Sequence, residues 1–132
     1  DGELGLGDND DRYSWTETLT DVQAVSAGWN HSFALKPDGR LFATGDNFDG
    51  ELGLGDNDDR YSWTETLTDV QAVSAGEKCS FALKSDGRLF ATGHNEYGEL
   101  GLGDTDHRYY WTETLTDVQA VSAGHGCSFA LK

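Results

Sequence analysis

The chain of 132 residues carries 24 acidic side chains against 9 Lys and Arg, a formal charge of −15, and this balance excludes nucleic acid and anionic membrane as direct partners, because phosphate binding needs clustered cations. No apolar run approaches the roughly 18 residues that span a bilayer, so a soluble protein is expected. The lack of a starting Met and of a secretory leader fits a processed, excised or engineered chain and leaves the compartment unread.

One stretch sets the organisation. Val22-Gln-Ala-Val-Ser-Ala-Gly28, three variable residues and Ser32-Phe-Ala-Leu-Lys36 return as 70–84 and 118–132, a constant offset of 48 positions. A period of this size marks an array in which one unit cannot bury its own apolar face. The chain therefore divides into one array of units 1–48 and 49–96 and a shorter third unit, 97–132, which stops before the counterparts of Pro37 to Phe48.

Each unit opens with a glycine-punctuated loop, Asp1-Gly-Glu-Leu-Gly-Leu-Gly-Asp8, continued by a polar run from Asn9 to Ser14. Glycines this dense suit neither helix nor strand interiors, so a structured connection is expected, with Leu4 and Leu6 tucked onto the core. Trp15 to Leu19, rich in β-branched and aromatic residues, reads as strand one. Thr20-Asp21 turns the chain. Val22 to Ala27 is strand two, ended by Gly28, and His31 to Lys36 is strand three, with Phe33 and Leu35 on one face. Lys36-Pro-Asp-Gly39 is a tight-turn signal, followed by strand four from Arg40 to Thr44 and closed by Gly45. Four short antiparallel strands per unit, with small residues on one face and large ones on the other, describe an all-β chain of propeller blades. A right-handed β-helix fits less well, because tight turns that reverse the chain call for hairpins.

Ala24-Val-Ser-Ala-Gly28, His31-Ser-Phe-Ala-Leu35, Asp38-Gly-Arg-Leu-Phe42, Thr44-Gly45-x-Asn47 and Gly50-Glu-Leu-Gly-Leu-Gly-Asp56 together resemble the repeat of the regulator of chromosome condensation family. The resemblance implies a β-propeller whose full ring has seven blades, of which this chain holds an incomplete set. The sequence departs from the family pattern at Cys79 and Cys127, which replace its usual histidine, at Ala43, where a Trp is frequent, and at Trp15, near its usual proline. The nucleotide-exchange activity and chromatin docking of the founding member need a complete ring and a specialised wedge, so neither carries over. Relatives that act as tight protein ligands, including β-lactamase inhibitors that use loops on one end of the ring, are closer in style.

Differences between the units carry the functional signal. Units one and two differ at Trp29/Glu77, Asn30/Lys78, His31/Cys79, Pro37/Ser85, Asp46/His94 and Phe48/Glu96. Units two and three differ at Asp49/Tyr97, Asn57/Thr105, Asp59/His107, Ser62/Tyr110, Glu77/His125 and Lys78/Gly126. Alternating strand directions place all of these but Pro37/Ser85 at one end of the blades. Two readings stand: drift in tolerant loops, and a diversified recognition face rich in the aromatics that anchor interfaces. The second makes Trp29, Phe48 and Tyr97 anchors, Asp46, Asp49, Glu77, Lys78 and Glu96 polar determinants, and Asn30, His31, His94 and His125 further members.

Other chemistry is set aside. The Gly50 to Asp56 loop precedes no helix and is followed by no lysine, unlike a phosphate cradle. Asp8-Asn-Asp-Asp11 lacks the ligand spacing of a calcium loop. His94, His107, His125 and Cys127 show no metal spacing on one strand face, and Cys79 and Cys127 read as small packed thiols. Asn30-His-Ser32 is a glycosylation sequon only in a secreted eukaryotic chain. No catalytic set, cofactor or metal is expected. The function expected is non-enzymatic protein binding or, alternatively, self-assembly, in which the third unit's unpartnered edge strand pairs with other copies of the chain in a homo-oligomeric ring or filament.

Overall fold

A computed structural model describes residues 21–95, 100–123 and 128–131. Strands β1 (Ala24–Ala27), β2 (His31–Leu35), β3 (Leu41–Gly45) and β4 (Arg60–Leu67) form one antiparallel sheet in chain order. Strands β5 (Val70–Ala75), β6 (Cys79–Lys84), β7 (Leu89–Gly93) and β8 (Arg108–Leu115) form a second, and β9 (Ala120–Ala123) pairs with β10 (Ser128–Leu131). The chain is all-β in its described residues, with the four-stranded meander of a propeller blade.

Register explains the alternation of large and small side chains. Phe33 of β2 sits opposite Ser26 on one side and Ala43 on the other, so one ring fills the space that two small neighbours leave. Phe33, Leu35, Leu41 and Ala43 then form a buried face that packs onto Ala82, Val73 and Trp111 of the second sheet. Phe81, Leu83, Leu89 and Ala91 repeat that face one unit later, with Val118 and Val121 against it. Neither sheet could hide these side chains alone. Fully burying a Phe or Leu contributes about 1.5–3 kcal/mol each, and here the neighbouring sheet supplies the cover.

The phase of the repeat differs from the expectation. The strand expected to open each unit is, in its copies at 63–67 and 111–115, the fourth strand of the preceding sheet, because β4 pairs with β3 through Ala43↔Thr64 and Gly45↔Arg60, and β8 with β7 in the same way; Trp15 to Leu19 lies outside the described residues. The described sheets therefore run from Ala24 to Leu67 and from Val70 to Leu115, across the boundaries at 48 and 96. The turn expected at Thr20-Asp21 is, in its copy at Thr68-Asp69, the crossing between sheets. Asp69 there adopts φ 59°, and Val70 donates its N–H to the Gly39 carbonyl of the first sheet at 3.0 Å. A side-chain pattern shows which residues form strands but not which partner each strand takes.

The glycine-rich loop joins neighbouring sheets. Its hub is Asn47, fully buried, whose amide donates to the Asp56 and Asp58 carbonyls at 3.1 and 3.0 Å while its oxygen accepts the Leu52 N–H at 3.0 Å. Thus folded, residues 50–55 lie along the second sheet. Ser80 and Thr92 donate their hydroxyls to the Glu51 and Gly50 carbonyls, both at 2.7 Å, and Gly55 donates to the Tyr109 carbonyl at 2.7 Å. Trp111 lies over Gly53 and donates its indole N–H to Thr66 at 2.9 Å, the same hydroxyl that donates to the Leu52 carbonyl. Leu52 is buried as expected of this loop; its counterpart Leu4 lies outside the described residues.

His31 belongs to this junction. Because the single Ser80 hydroxyl proton goes to the Glu51 carbonyl, Ser80 Oγ accepts from His31 Nε2 at 3.1 Å, which fixes the Nε2–H tautomer. Nδ1 is buried without a partner, against Gly28, where any Cβ would collide with the ring. Burial lowers the His31 pKa to about 4, opposed by the Asp46 charge and by the Cys79 backbone. Burial raises the Glu51 carboxyl to about 8, against hydrogen bonds from its own and the Asp49 backbone N–H.

Two predictions follow from this junction. Gly53 and Gly55 share a left-handed backbone, φ 69° and 84°, but a Cβ at 53 would press into the Trp111 indole whereas one at 55 meets nothing within 4 Å. Gly55→Ala should cost about 1 kcal/mol of backbone strain and Gly53→Ala about 3 kcal/mol, strain plus overpacking, measured by urea denaturation; equal losses would remove the sheet-to-sheet role of the loop. Titration separates the buried pair. The depressed His31 pKa gives stability that is complete above about 6.5 and is lost as pH falls toward 4, while the raised Glu51 pKa gives stability that is complete below about 4.5 and is lost as pH rises through 8. In the intact protein the two slopes oppose each other between about pH 4.5 and 6.5. His31→Cys, the residue the second repeat carries, should therefore make stability rise as pH falls from 8 to 4.5, by about 5 kcal/mol, and Glu51→Gln should make it fall from pH 6.5 to 4, by about 3 kcal/mol, read from thermal melts across that range.

Candidate functional site

The loops that differ between units gather at one end of the sheets. In the first sheet the Asn30 carbonyl of the β1–β2 turn accepts the Asp46 N–H at 2.8 Å, which ties the turn to the start of the long loop. Asp46 Oδ1 accepts the Phe48 N–H at 3.1 Å, and Asp59 Oδ1 accepts the Asn47 N–H at 2.8 Å. Trp29 and Phe48 stand 66% and 71% exposed on this frame, with Asn30, Asp58 and Asp59 also exposed and Asp46 and Asp49 half-buried. The Asp56 carboxyl is held below its usual range, chiefly by the Arg60 side chain, at 2.8 Å. The loop base is thus fixed while its tip faces solvent.

The second sheet repeats the frame with other side chains. The Lys78 carbonyl accepts the His94 N–H at 2.9 Å, and His107 Nδ1 accepts the Asn95 N–H at 2.9 Å, in the place of the Asp59 carboxylate. The His94 and His107 rings lie with centroids 4.7 Å apart. Lys78 is exposed and Glu77 half-buried. Asp104 is held low by Arg108, as Asp56 is by Arg60.

The structure thus brings together Trp29, Asn30, Asp46, Phe48 and Asp49 on one sheet and Glu77, Lys78 and His94 at the same end of the next. Glu96, Tyr97 and His125 lie outside the described residues. His31 is a correction: expected on the binding face, it is 1% exposed, because its side chain points along the sheet face into the junction with Ser80. Not expected as members were Asp58 and Asp59, His107 and the 62%-exposed Tyr110. Asp59, His107 and Tyr110 are among the positions that differ between units, so the signal existed, but it did not distinguish a frame position from a tip. Among the described residues no three His, Cys, Asp or Glu side chains are placed to hold a metal, and His107 Nδ1 is already engaged by the backbone.

The opposite end is uniform. Lys36 Nζ and the Arg40 guanidinium lie 5.2 and 5.5 Å from the Phe42 ring centroid, and Arg40 is gripped by Asp38 at 2.8 Å and reaches Glu65 at 3.8 Å. Lys84, Arg88, Phe90, Asp86 and Glu113 reproduce this in the second sheet. Pro37 and Ser85 are the positions that differ there.

Known proteins place this architecture. Prp20p from Saccharomyces cerevisiae superposes with a TM-score of 0.77 at 21% identity, over 94% of this chain and 35% of that one. Human WBSCR16 does so with a TM-score of 0.79 at 25% identity, over 94% and 36%. The X-linked retinitis pigmentosa GTPase regulator of Mus musculus is 44% identical over 52 residues, 36% of this chain. The chain spans only 5% of that protein and about a third of the solved structures. Residues 38–83 and 86–131 each match the regulator of chromosome condensation (RCC1) repeat, as do 22–51 and 70–99 in a second description of the same repeat. With stacked four-stranded sheets, the Asn47-centred loop and these matches in agreement, the chain belongs to the regulator of chromosome condensation (RCC1) repeat family.

Proposed function

We propose that this chain is a non-enzymatic recognition module that binds a protein through the loops at the variable end of its blades. The carrying observation is the pairing of a rigid frame with exposed aromatic tips: Trp29 and Phe48 stand in solvent on loops whose backbones are fixed by Asn30, Asp46 and Asn47. A loop ordered before binding loses little conformational entropy on docking, and large aromatic side chains supply most interface hot spots. The family supports the reading, since the similar Prp20p is described by its binding properties to Gsp1p and histones.

Trp29→Ala and Phe48→Ala together should weaken partner capture by tenfold or more, as hot-spot truncations do. Both side chains are largely exposed, so the thermal midpoint should stay within about 2 °C, the response expected of surface changes. The check is a pull-down with calorimetry on the recovered partner, alongside a melt of the variant; capture at full strength would remove this reading.

A further inference from the structure

We infer that the Phe48 cap of the first sheet seats a lysine or arginine side chain, so that the partner presents a basic segment to this end of the protein. The inference rests on the recognition role proposed above and names the chemistry of its partner. Phe48 lies between Asp46 and Asp49 in the chain, and Asp59 is held beside it on the Asn47 N–H. Among the described residues no Lys or Arg forms an ion pair with the carboxylates of Asp46, Asp49, Asp58 or Asp59, and Arg60 of the same loop is taken by the Asp56 carboxylate at 2.8 Å and the Asp58 backbone carbonyl at 2.7 Å.

The other end of each sheet shows what completes such a group. There a Phe ring carries a Lys and an Arg over it, and carboxylates grip the Arg. At Phe48 the ring and the carboxylates are present, and the cation is left to the partner. A cation over the ring gains from the ring quadrupole, and flanking carboxylates add charge-assisted hydrogen bonds. An apolar or acidic partner would instead bury these carboxylates unpaired, which is strongly unfavourable. A second copy of the chain fits poorly, since it brings another formal charge of −15, and its Arg40, Arg60, Arg88 and Arg108 each already hold a carboxylate. The equivalent place on the second sheet carries His94 and His107 for Asp46 and Asp59, with Lys78 beside them, so the basic segment is directed to the first sheet.

The test titrates the full chain with a short peptide alternating arginine and glycine, followed by backbone amide NMR, with a glutamate–glycine peptide as control. Shifts should concentrate at residues 46–49 and 58–59 and fade with added salt. Phe48→Ala should weaken binding about three- to fivefold, and Asp46→Asn with Asp49→Asn about tenfold. Asp21→Asn with Asp117→Asn removes the same charge at the other end and should have little effect. Equal weakening by both double variants, or shifts spread along the chain, would mean general attraction to an acidic protein and overturn the inference. If the Trp29 and Phe48 variants lose partner capture but the arginine peptide ignores the cap, recognition stands and the basic partner falls. If the peptide binds the cap but those variants capture the partner normally, the recognition role falls.

Discussion

Everything in this structure depends on the way residues 50–55 leave one sheet and lie down on the next. A four-stranded sheet with Phe33, Leu35 and Leu41 on one face cannot hide them by itself, and a sheet-to-sheet stack held by apolar contact alone could slide. The loop prevents this by directional bonds. The carbonyls of Gly50 and Glu51 face Thr92 and Ser80, and the Gly55 N–H faces the Tyr109 carbonyl. Glycine is required at 53 because the Trp111 indole occupies the space a side chain would take. The hydrophobic term supplies the energy of stacking, and these hydrogen bonds set its register.

That division separates the residues that must stay the same from those that can vary. A position whose side chain meets the neighbouring sheet is matched to two surfaces at once, so Asn47 and Asn95, Leu52 and Leu100, Thr44 and Thr92 are identical and buried in both copies. A tip such as position 48 meets solvent and answers to neither surface. The differences between units accordingly gather where the frame ends. His31 and Cys79 are the instructive exception, a variable pair that is buried. His31 fills its place with one hydrogen bond to Ser80 and one nitrogen unpartnered, and Cys79 fills the equivalent place of the next unit as a small buried thiol.

Much of the fold was legible in the chain because strand alternation and tight turns are local. Phe33-Ala-Leu35 and Lys36-Pro-Asp-Gly39 announce a strand and its reversal without reference to distant residues. The face of β2 that carries Phe33 and Leu35 was readable for the same reason. Which sheet receives Trp63 to Leu67 was not, since β4 presents similar side chains to either neighbour and its partner is decided by the path of the loop before it. The end at which the variable loops gather was legible through strand direction, and Trp29 and Phe48, singled out by their variability, stand exposed there. His31 was misplaced because variability reports tolerance, and a buried site can be tolerant when a sheet junction offers it one hydrogen-bond partner.

The two long loops show why such a frame suits recognition. Asn47 and Asn95 each need an acceptor for their backbone N–H. The first loop supplies a carboxylate from Asp59 at 2.8 Å, the second an imidazole nitrogen from His107 at 2.9 Å. The backbone bond is kept while the chemistry facing solvent changes from acidic to imidazole. Since Asp46 and His94 differ in the same two loops, the substitutions alter both sides of each cap together and leave the amide hubs untouched. A repeat protein built this way can alter what it presents to a partner at one blade without disturbing the stacking that holds the next, because the hub of the loop is a buried Asn side chain, and the exposed position that caps its N–H keeps that bond as either a carboxylate or an imidazole.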